Sequence, residues 1–193
     1  MDGSLPKLTA IFIFLILVMV LIAGSIVVFL PLKAPKGLSG LISQENMKIT
    51  SSAFEAYQLV PAKYTCDGED INPSLVIEGV PAKAKSLVLI MDDPDSPSKV
   101  WVHWLVWNID IQTKEIKENS VPAGAVLGMT DFGRSGYGGP CPGSGTHRYS
   151  FRIYALDTVL NLEPGAGKTV LEKAMTGHIL AQAELIGRYG RTK

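Results

Sequence analysis

Residues 86–109, SLVLIMDDPDSPSKVWVHWLVWNI, contain the two apolar segments that decide the fold. Ser86–Met91 and Val100–Ile109 are short runs of aliphatic and aromatic residues, separated by a turn rich in aspartate and proline. Apolar runs of this length, bounded by turn residues, predict β-strands. Nearly every residue of Val100–Ile109 is apolar, so we expect that strand to be buried on both faces.

The same pattern extends in both directions and predicts a mostly β domain. Further strands are expected at Ile49–Glu55, Ser74–Glu78 and Tyr149–Leu156, and in the last of these the odd-numbered residues share an apolar face. Gly167–Gly177 is predicted to be a helix that ends at its final glycine. The periodicity of Ile179–Tyr189 fits either a helix or a strand.

The composition narrows the class of protein. The 193 residues are 47% hydrophobic, and 18 basic side chains balance 18 acidic ones. This length suits one domain with an appendage. A neutral chain lacks the basic face that nucleic-acid binding requires, and its apolar content is too high for disorder. Two cysteines are too few for a disulfide framework or a four-thiolate zinc site.

The N-terminal region contains a candidate membrane segment. No charge interrupts residues 8–32, a run longer than the about 20 apolar residues that span a bilayer. It also exceeds the apolar stretch of a secretory signal, so an uncleaved single-pass anchor is favoured over a cleaved signal. We therefore expect a tail at 1–7, an anchor at 8–32, a linker at 33–47 and a domain at 48–193 that lies outside the cytoplasm.

Three places carry residues suited to chemistry. Asp92–Pro97 is a stiff turn with three carboxylates, whose charges must be balanced by cations or N–H donors. It either holds a functional carboxylate at the end of a strand or is an ordinary Asp-rich turn capped by its own side chains. His103 lies in an apolar strand and is either a ligand-binding residue or a hydrogen-bonded core residue. Gly138–Tyr149 is a glycine- and proline-rich loop that leads into His147 and suits either an anion site or a rigid turn.

At these residues the chain resembles the phosphatidylethanolamine-binding protein family, most of all its bacterial and archaeal Raf-kinase-inhibitor-like branch. The resemblance rests on the DPDSP run from Asp93, on His103-Trp104 and on the GGPCP and GTHRY runs within 138–149. Tyr64–Gly68 and Gly177–Ala181 add to it. The resemblance implies a β-sandwich with a small helical element near the C-terminus, and it implies that Ile179–Tyr189 is a strand.

The resemblance also implies a small-anion pocket. Its ligand-binding residues would be Asp93, His103, Gly139, Pro140, His147 and Tyr149. Pro94, Asp95, Cys141 and Pro142 would support them. Gly143 stands where the branch usually has proline, so we expect that edge of the pocket to be more flexible. The chain ends at Lys193 without the C-terminal helix of eukaryotic members, so we expect a more open pocket.

These residues predict a non-enzymatic binding protein without a metal or other cofactor. Its ligand would be phosphate or a phosphoethanolamine-type head group, bound by histidine N–H donors and more tightly as pH falls through about 6.5. Regulation of a protease or kinase partner is implied by the resemblance alone. The alternative is a metal-dependent or hydrolytic enzyme that uses His103, His147 and Asp93.

The remaining cysteine, histidine and tryptophan residues are given structural roles. Cys66 and Cys141 could pair, or Cys141 could be a reactive thiol, but two separate structural thiols is the simplest interpretation. His178 is expected to interact with the last carbonyls of the helix. The spacing of the three tryptophans places Trp101 and Trp107 on one face of their strand and Trp104 on the other, which indicates packing on both faces.

Overall fold

The computed structural model describes residues 47–191, which form two antiparallel sheets and one α-helix. One sheet has three strands and the other has five. A short 3-10 helix covers Ala62–Tyr64. The other elements are β1 (Lys48–Thr50), β2 (Leu75–Glu78), β3 (Ser86–Asp93), β4 (Trp101–Ile109), β5 (Glu115–Ile116), β6 (Val126–Leu127), β7 (Thr146–Leu156), α1 (Lys168–Met175) and β8 (Ile179–Gly190). The three-stranded sheet has the order β1-β2-β5, and the five-stranded sheet has the order β6-β4-β3-β7-β8.

The mostly β fold with one small helix near the C-terminus is confirmed. The ambiguous segment 179–189 is a strand, since β8 pairs with β7 along almost its whole length, from Thr146↔Gly190 to Leu156↔Ile179. The first strand is shorter than expected because the chain leaves the sheet after Thr50. There the Ser51 hydroxyl donates to the Ser74 carbonyl, 2.6 Å away, and accepts from the Ala53 N–H, a local turn that competes with strand pairing.

The larger sheet is buried on both faces. One face packs against the three-stranded sheet, where side chains such as Ile77, Leu89 and Phe151 form the main core. The opposite face packs against α1 through a second cluster that includes Trp107 and Leu171. This arrangement explains why both β3 and β4 are almost wholly apolar and buried, as predicted for β4.

A β-bulge in β4 changes the direction of the side chains near its start. Met91 pairs with Trp104 and Asp92 pairs with Val102, so His103 is an extra residue on β4. As a result His103 and Trp104 face the same side of the sheet, and Trp101 lines a cleft whereas Trp107 packs in the second cluster. The prediction that Trp101 and Trp107 share a face is wrong because simple alternation ignores this bulge.

His178 also differs from the expectation. Its ring Nδ1 lies 2.8 Å from Asp157 Oδ1, so the ring pairs with a carboxylate rather than with the carbonyls of α1. Only its backbone N–H donates to the helix, at the Met175 carbonyl 3.0 Å away. His178 and Asp157 lie at the surface and form an Asp–His pair separate from the predicted site.

The predicted tail, anchor and linker up to residue 46 lie outside the described residues. In the part of the chain from 47 to 191, no helix is long and apolar enough to cross a membrane. Met47, predicted as the last linker residue, is buried in the main core. The packed domain therefore includes at least one residue before the predicted boundary at 48.

Candidate functional site

A cleft of about 270 Å³ lies at one end of the larger sheet. Because β3 lies between β4 and β7, the end of β3 meets the start of β4 and the start of β7 at this edge. The three motifs that are separate in the sequence thus converge. The cleft is lined by Asp93, Ser96, Pro97, Trp101, His103, Phe132, Cys141, Pro142, Gly143, His147 and Tyr149.

A hydrogen-bonded histidine–aspartate pair lies in the cleft. His147 Nδ1 is 2.7 Å from Asp93 Oδ2, and the two side chains are only 15% and 6% exposed. A carboxylate oxygen accepts, so Nδ1 carries a proton and the other ring nitrogen, Nε2, is left for a ligand. The second oxygen of Asp93 accepts the Asp95 backbone N–H at 2.8 Å. Asp93 therefore orients His147.

His103 is held in one tautomer by the backbone. Its Nδ1 lies 2.6 Å from the Gly138 carbonyl oxygen, which can only accept, so the proton is on Nδ1. Burial lowers the pKa of His103, because the charged imidazolium loses hydration, and the nearby Asp93 offsets this only in part. Near neutral pH His103 is uncharged, and its Nε2 is an acceptor. Donation from His103 to an anion would therefore need a lower pH than the about 6.5 of a free imidazole.

Tyr149 has a buried hydroxyl without a hydrogen-bond partner. The residue is fully buried and lines the cleft beside His103, whose ring centre is 5.2 Å from that of Tyr149. The backbone of Cys141 lies near the hydroxyl, but the two do not meet hydrogen-bond geometry. Burial and the negative charge of Asp93 raise the pKa of Tyr149, so it keeps its proton and is a potential donor.

Each carboxylate of the Asp-rich turn has a basic partner. These partners offset the repulsion among the three carboxylates. Asp95 accepts from the Nε and Nη2 of Arg148 at 2.9 and 2.7 Å, and these bonds lower the pKa of Asp95 to about 2. Pro94, next to it, is exposed. The pairs are Asp92 with Arg152 and Lys168, Asp93 with His147, and Asp95 with Arg148.

Gly139 and Pro140 do not line the cleft and instead hold its wall. The Gly139 N–H donates to Asp70 Oδ1 at 2.6 Å, and a Cβ at this position would lie 2.5 Å from the Tyr64 carbonyl oxygen. The glycine is therefore needed for close packing of two loops. The Pro140 carbonyl accepts the Cys66 N–H at 3.2 Å. Both residues were predicted to touch the ligand, and their role here is to position the rim.

The two cysteines form a disulfide, with their Cα atoms 5.4 Å apart. The bond joins the loop after the 3-10 helix to the rim of the cleft at Cys141. Two separate thiols, the simplest interpretation of the sequence, is wrong. Spacing along the chain could not reveal the pairing, because 75 residues separate the cysteines and only the folded loops bring them together.

Five lining residues were missed by the sequence reasoning. Ser96 and Pro97 belong to the quoted DPDSP run, so a signal was present for them, and Gly143 was noted only as a departure. Trp101 was assigned to packing because the bulge was not foreseen. Phe132 lies in a loop without periodicity, yet its ring centre is 5.2 Å from that of His103 and 5.7 Å from that of Trp101.

The cleft residues do not form a ready set of metal ligands. Among residues 47–191, no group of three or more His, Cys, Asp or Glu side chains is placed to hold a metal ion. Asp93 accepts one hydrogen bond on each oxygen, and His103 uses Nδ1 to bind the backbone. The arrangement thus offers two imidazole Nε2 atoms and one phenol hydroxyl around a small space.

Comparison with known proteins shows the family of this chain. The family model described as phosphatidylethanolamine-binding protein matches residues 50–190. The chain belongs to the phosphatidylethanolamine-binding protein family. A UPF0098 protein of Methanothermobacter thermautotrophicus is 53% identical over 150 residues, which cover 75% of this chain and 99% of the relative. A UPF0098 protein of Pyrococcus horikoshii is 50% identical over 158 residues, which cover 77% of this chain and 79% of the relative.

Solved structures of family members share the fold. The phosphatidylethanolamine-binding protein homologue CT736 from Chlamydia trachomatis is 43% identical, with a TM-score of 0.74, and the match covers 77% of this chain and 99% of that one. Escherichia coli YbcL, described as a new member of the mammalian family, is 28% identical, with a TM-score of 0.72. The match covers 76% of this chain and 99% of that one. The family fold thus occupies the domain that follows the apolar N-terminal segment.

Proposed function

We propose that this family member is a non-enzymatic binding protein whose cleft takes a singly charged phosphate group, free or in a phosphoethanolamine-type head group. The observation that carries the proposal is the partnerless, buried hydroxyl of Tyr149 beside the His147–Asp93 pair. A buried hydroxyl without a partner is unfavourable in the empty protein, and a ligand oxygen would remove that penalty. A small movement of the rim at Cys141–Gly143 would admit such an oxygen.

The hydrogen-bonding pattern favours the singly charged form of the phosphate. Tyr149 donates its O–H, and His147, when protonated, donates from Nε2 while Asp93 balances its charge. Neutral His103 accepts through Nε2, and a phosphate P–OH is the donor that it needs. A phosphomonoester loses its last proton with a pKa of about 6. Binding should therefore tighten as pH falls from 8 toward 6, because the ligand gains the proton that it donates to His103.

We also propose that residues 8–32 anchor the domain to a membrane and that the domain lies on the extracytoplasmic side. The uninterrupted apolar run supports the anchor. The Cys66–Cys141 disulfide supports the location, since such bonds persist in oxidising compartments. At a membrane the domain would lie next to phospholipid head groups, but a phospholipid phosphate is a diester without the P–OH that neutral His103 needs, so a phosphomonoester is the better fit. A protease or kinase partner would be regulated from that position.

The test uses the three tryptophans as reporters in the full chain, kept in a neutral detergent. With ¹⁵N-labelled tryptophan, the indole of Trp101 reports on the cleft, and that of Trp107 reports on the far side of the sheet. Phosphoethanolamine should shift the Trp101 signal saturably and leave Trp107 unchanged. Ethanolamine without phosphate should shift neither signal.

An asparagine substitution distinguishes specific binding from a general charge effect. Asp93→Asn removes the carboxylate that orients His147, and we expect at least about tenfold weaker binding, which is the loss of one charge-assisted hydrogen bond. Asp157→Asn is the matched control, because it breaks the exposed Asp–His pair with His178 and should leave binding unchanged. A Trp101 signal that never responds to phosphoethanolamine, or equal affinity in both variants, contradicts the proposal.

A further inference from the structure

A second cavity, of about 310 Å³, lies beside β4, the strand that carries His103, and has no role in the proposed function. Tyr137 lines this cavity, and the next residue, Gly138, holds His103 in the cleft, so one loop segment borders both spaces. None of the lining residues is shared with the cleft. They are Asp70, Ile71, Asn72, Trp104, Asn119, Ser120, Val121, Arg134 and Tyr137.

Trp104 contributes a donor without a partner. The residue is fully buried, and its indole Nε1–H makes no hydrogen bond with the protein. An indole nitrogen can only donate, and Trp104 lines the cavity, so a ligand oxygen that reached this enclosed atom would supply the partner that it lacks. The bulge at His103 decides that Trp104 faces this side of the sheet, and the ring of Tyr137 packs edge-on against it with centres 5.5 Å apart.

Arg134 supplies further donors at the cavity mouth. Its Nη2 lies 3.0 Å from Asp70 Oδ2, and the side chain is half exposed. A guanidinium has five N–H groups, and the others have no acceptor among the described residues. This charge pair leaves the cavity with no net charge from its side chains. A doubly charged anion is therefore a poorer fit than a singly charged one.

Two other polar side chains on the wall, those of Asn72 and Ser120, are already occupied by internal bonds. The Asn72 amide donates to the Pro73 and Lys117 carbonyls and accepts the Ser120 N–H. The Ser120 hydroxyl donates to the Lys117 carbonyl, 2.8 Å away. The unsatisfied capacity of the wall is thus weighted toward donors, which suits a ligand rich in acceptor oxygens.

The backbone around the cavity is held in uncommon conformations. Asp70 and Asn119 both have positive φ angles, of 56° and 48°, and both line the space. Residues of this kind tolerate the left-handed region better than most, but they still cost conformational energy. In this conformation the Asp70 carboxylate accepts from Gly139 and Arg134 together, which keeps the guanidinium at the mouth.

We propose that this second cavity binds a small monocarboxylate. The ligand carboxylate would accept two parallel N–H bonds from Arg134, on the edge of the guanidinium that Asp70 does not occupy. It would accept a further bond from the Trp104 Nε1–H. The cavity has room for about ten water volumes at roughly 30 Å³ each, which fits an organic acid of a few carbon atoms. The site is separate from the phosphate cleft and stands whether or not that cleft binds phosphate.

The test uses the same labelled full chain, titrated with sodium propionate against sodium chloride of equal ionic strength. We expect a saturable shift of the Trp104 indole signal in the millimolar range, with Trp101 and Trp107 unchanged. A shift of Trp101 alone would place the carboxylate in the cleft and overturn the proposal. No response of Trp104 up to tens of millimolar would overturn it as well.

Arg134 variants make the test specific. Arg134→Gln should weaken propionate binding by about tenfold or more, and Arg134→Lys, which keeps the charge without the fork, should also weaken it. Arg191→Gln is the matched control, because Arg191 is a similarly exposed arginine paired with Asp67. An unchanged Trp107 signal verifies that each variant is folded. Equal affinity in wild type and both Arg134 variants refutes the assignment. Asp93→Asn should leave the Trp104 response intact, which separates this result from a failure of the phosphate cleft.

Discussion

Tyr149→Phe is the most informative substitution, because stability and ligand binding should change in opposite directions. The change removes only the hydroxyl, which is buried in the cleft without a partner, and leaves the ring in the core. An ordinary buried tyrosine loses stability when its hydroxyl is removed. We expect Tyr149→Phe to be at least as stable as the wild type and to bind phosphoethanolamine more weakly.

The magnitudes follow from the environment of the hydroxyl. A buried polar group without a hydrogen bond costs about 1–3 kcal/mol, so the variant should gain up to about 1 kcal/mol in the free energy of unfolding once some relaxation is allowed. A hydrogen bond to a charged group contributes about 1.5–3 kcal/mol, so losing it should raise the Kd by about ten- to a hundredfold.

Tyr137→Phe is the matched control for this experiment. The Tyr137 hydroxyl donates to the Tyr64 carbonyl at 2.8 Å, and the residue is similarly buried but does not line the cleft. Its removal leaves the carbonyl without that donor, so we expect a loss of about 1–3 kcal/mol in stability. The Kd for phosphoethanolamine should stay within about twofold of the wild type.

Urea denaturation of the ligand-free proteins gives the stabilities, and the Trp101 indole signal gives the Kd values. If Tyr149→Phe destabilises the protein as much as Tyr137→Phe does, the hydroxyl has a partner and the argument fails. If the affinity for phosphoethanolamine is unchanged, the hydroxyl does not contact the ligand. Either result refutes the reasoning.

Three further predictions concern stability. Replacing Cys66 and Cys141 by alanine opens the disulfide, which closes a span of 75 residues, and should cost about 2–4 kcal/mol; reductant should lower the Tm of the wild type and leave the variant unchanged. Asp95→Asn should flatten the acid limb of the stability curve, because the Arg148 bonds hold the folded pKa near 2 and stability is lost as pH falls from about 4 toward 2. Because burial lowers the pKa of His103, the unfolded state takes up its proton more readily, and the wild type should lose stability as pH falls below about 6.5. His103→Asn should lose less stability over this range, and identical stability–pH curves for the variant and the wild type would contradict this.

Local composition and spacing were enough to predict most of the strands and several members of the cleft. The apolar runs of β3 and β4 require burial, and each is too short and too rich in branched and aromatic residues for a typical helix. The motifs that carry Asp93, His103, His147 and Tyr149 stand at strand ends, where loops of an antiparallel sheet meet. All four residues line one cleft.

Other features depend on partners that are distant in the chain. Segment 179–190 has no decisive periodicity, and it is a strand because β7 offers an edge along its whole length. The role of Gly139 depends on how closely the Tyr64 carbonyl approaches it. The disulfide depends on two loops that meet only after folding. In each case the deciding contact is made by a residue far away in sequence.

The sequence by itself determined the class of the fold, the order of its motifs and the residue types around the cleft, because these follow from hydrophobic patterning and local backbone preference. The tertiary structure alone decided what those residues can do. One bulge points His103 and Trp104 to the same side of the sheet, and a backbone carbonyl sets the tautomer of His103. Burial leaves the Tyr149 hydroxyl and the Trp104 indole without partners. Direction, protonation and burial depend on register and on long-range packing, which no local window of sequence contains.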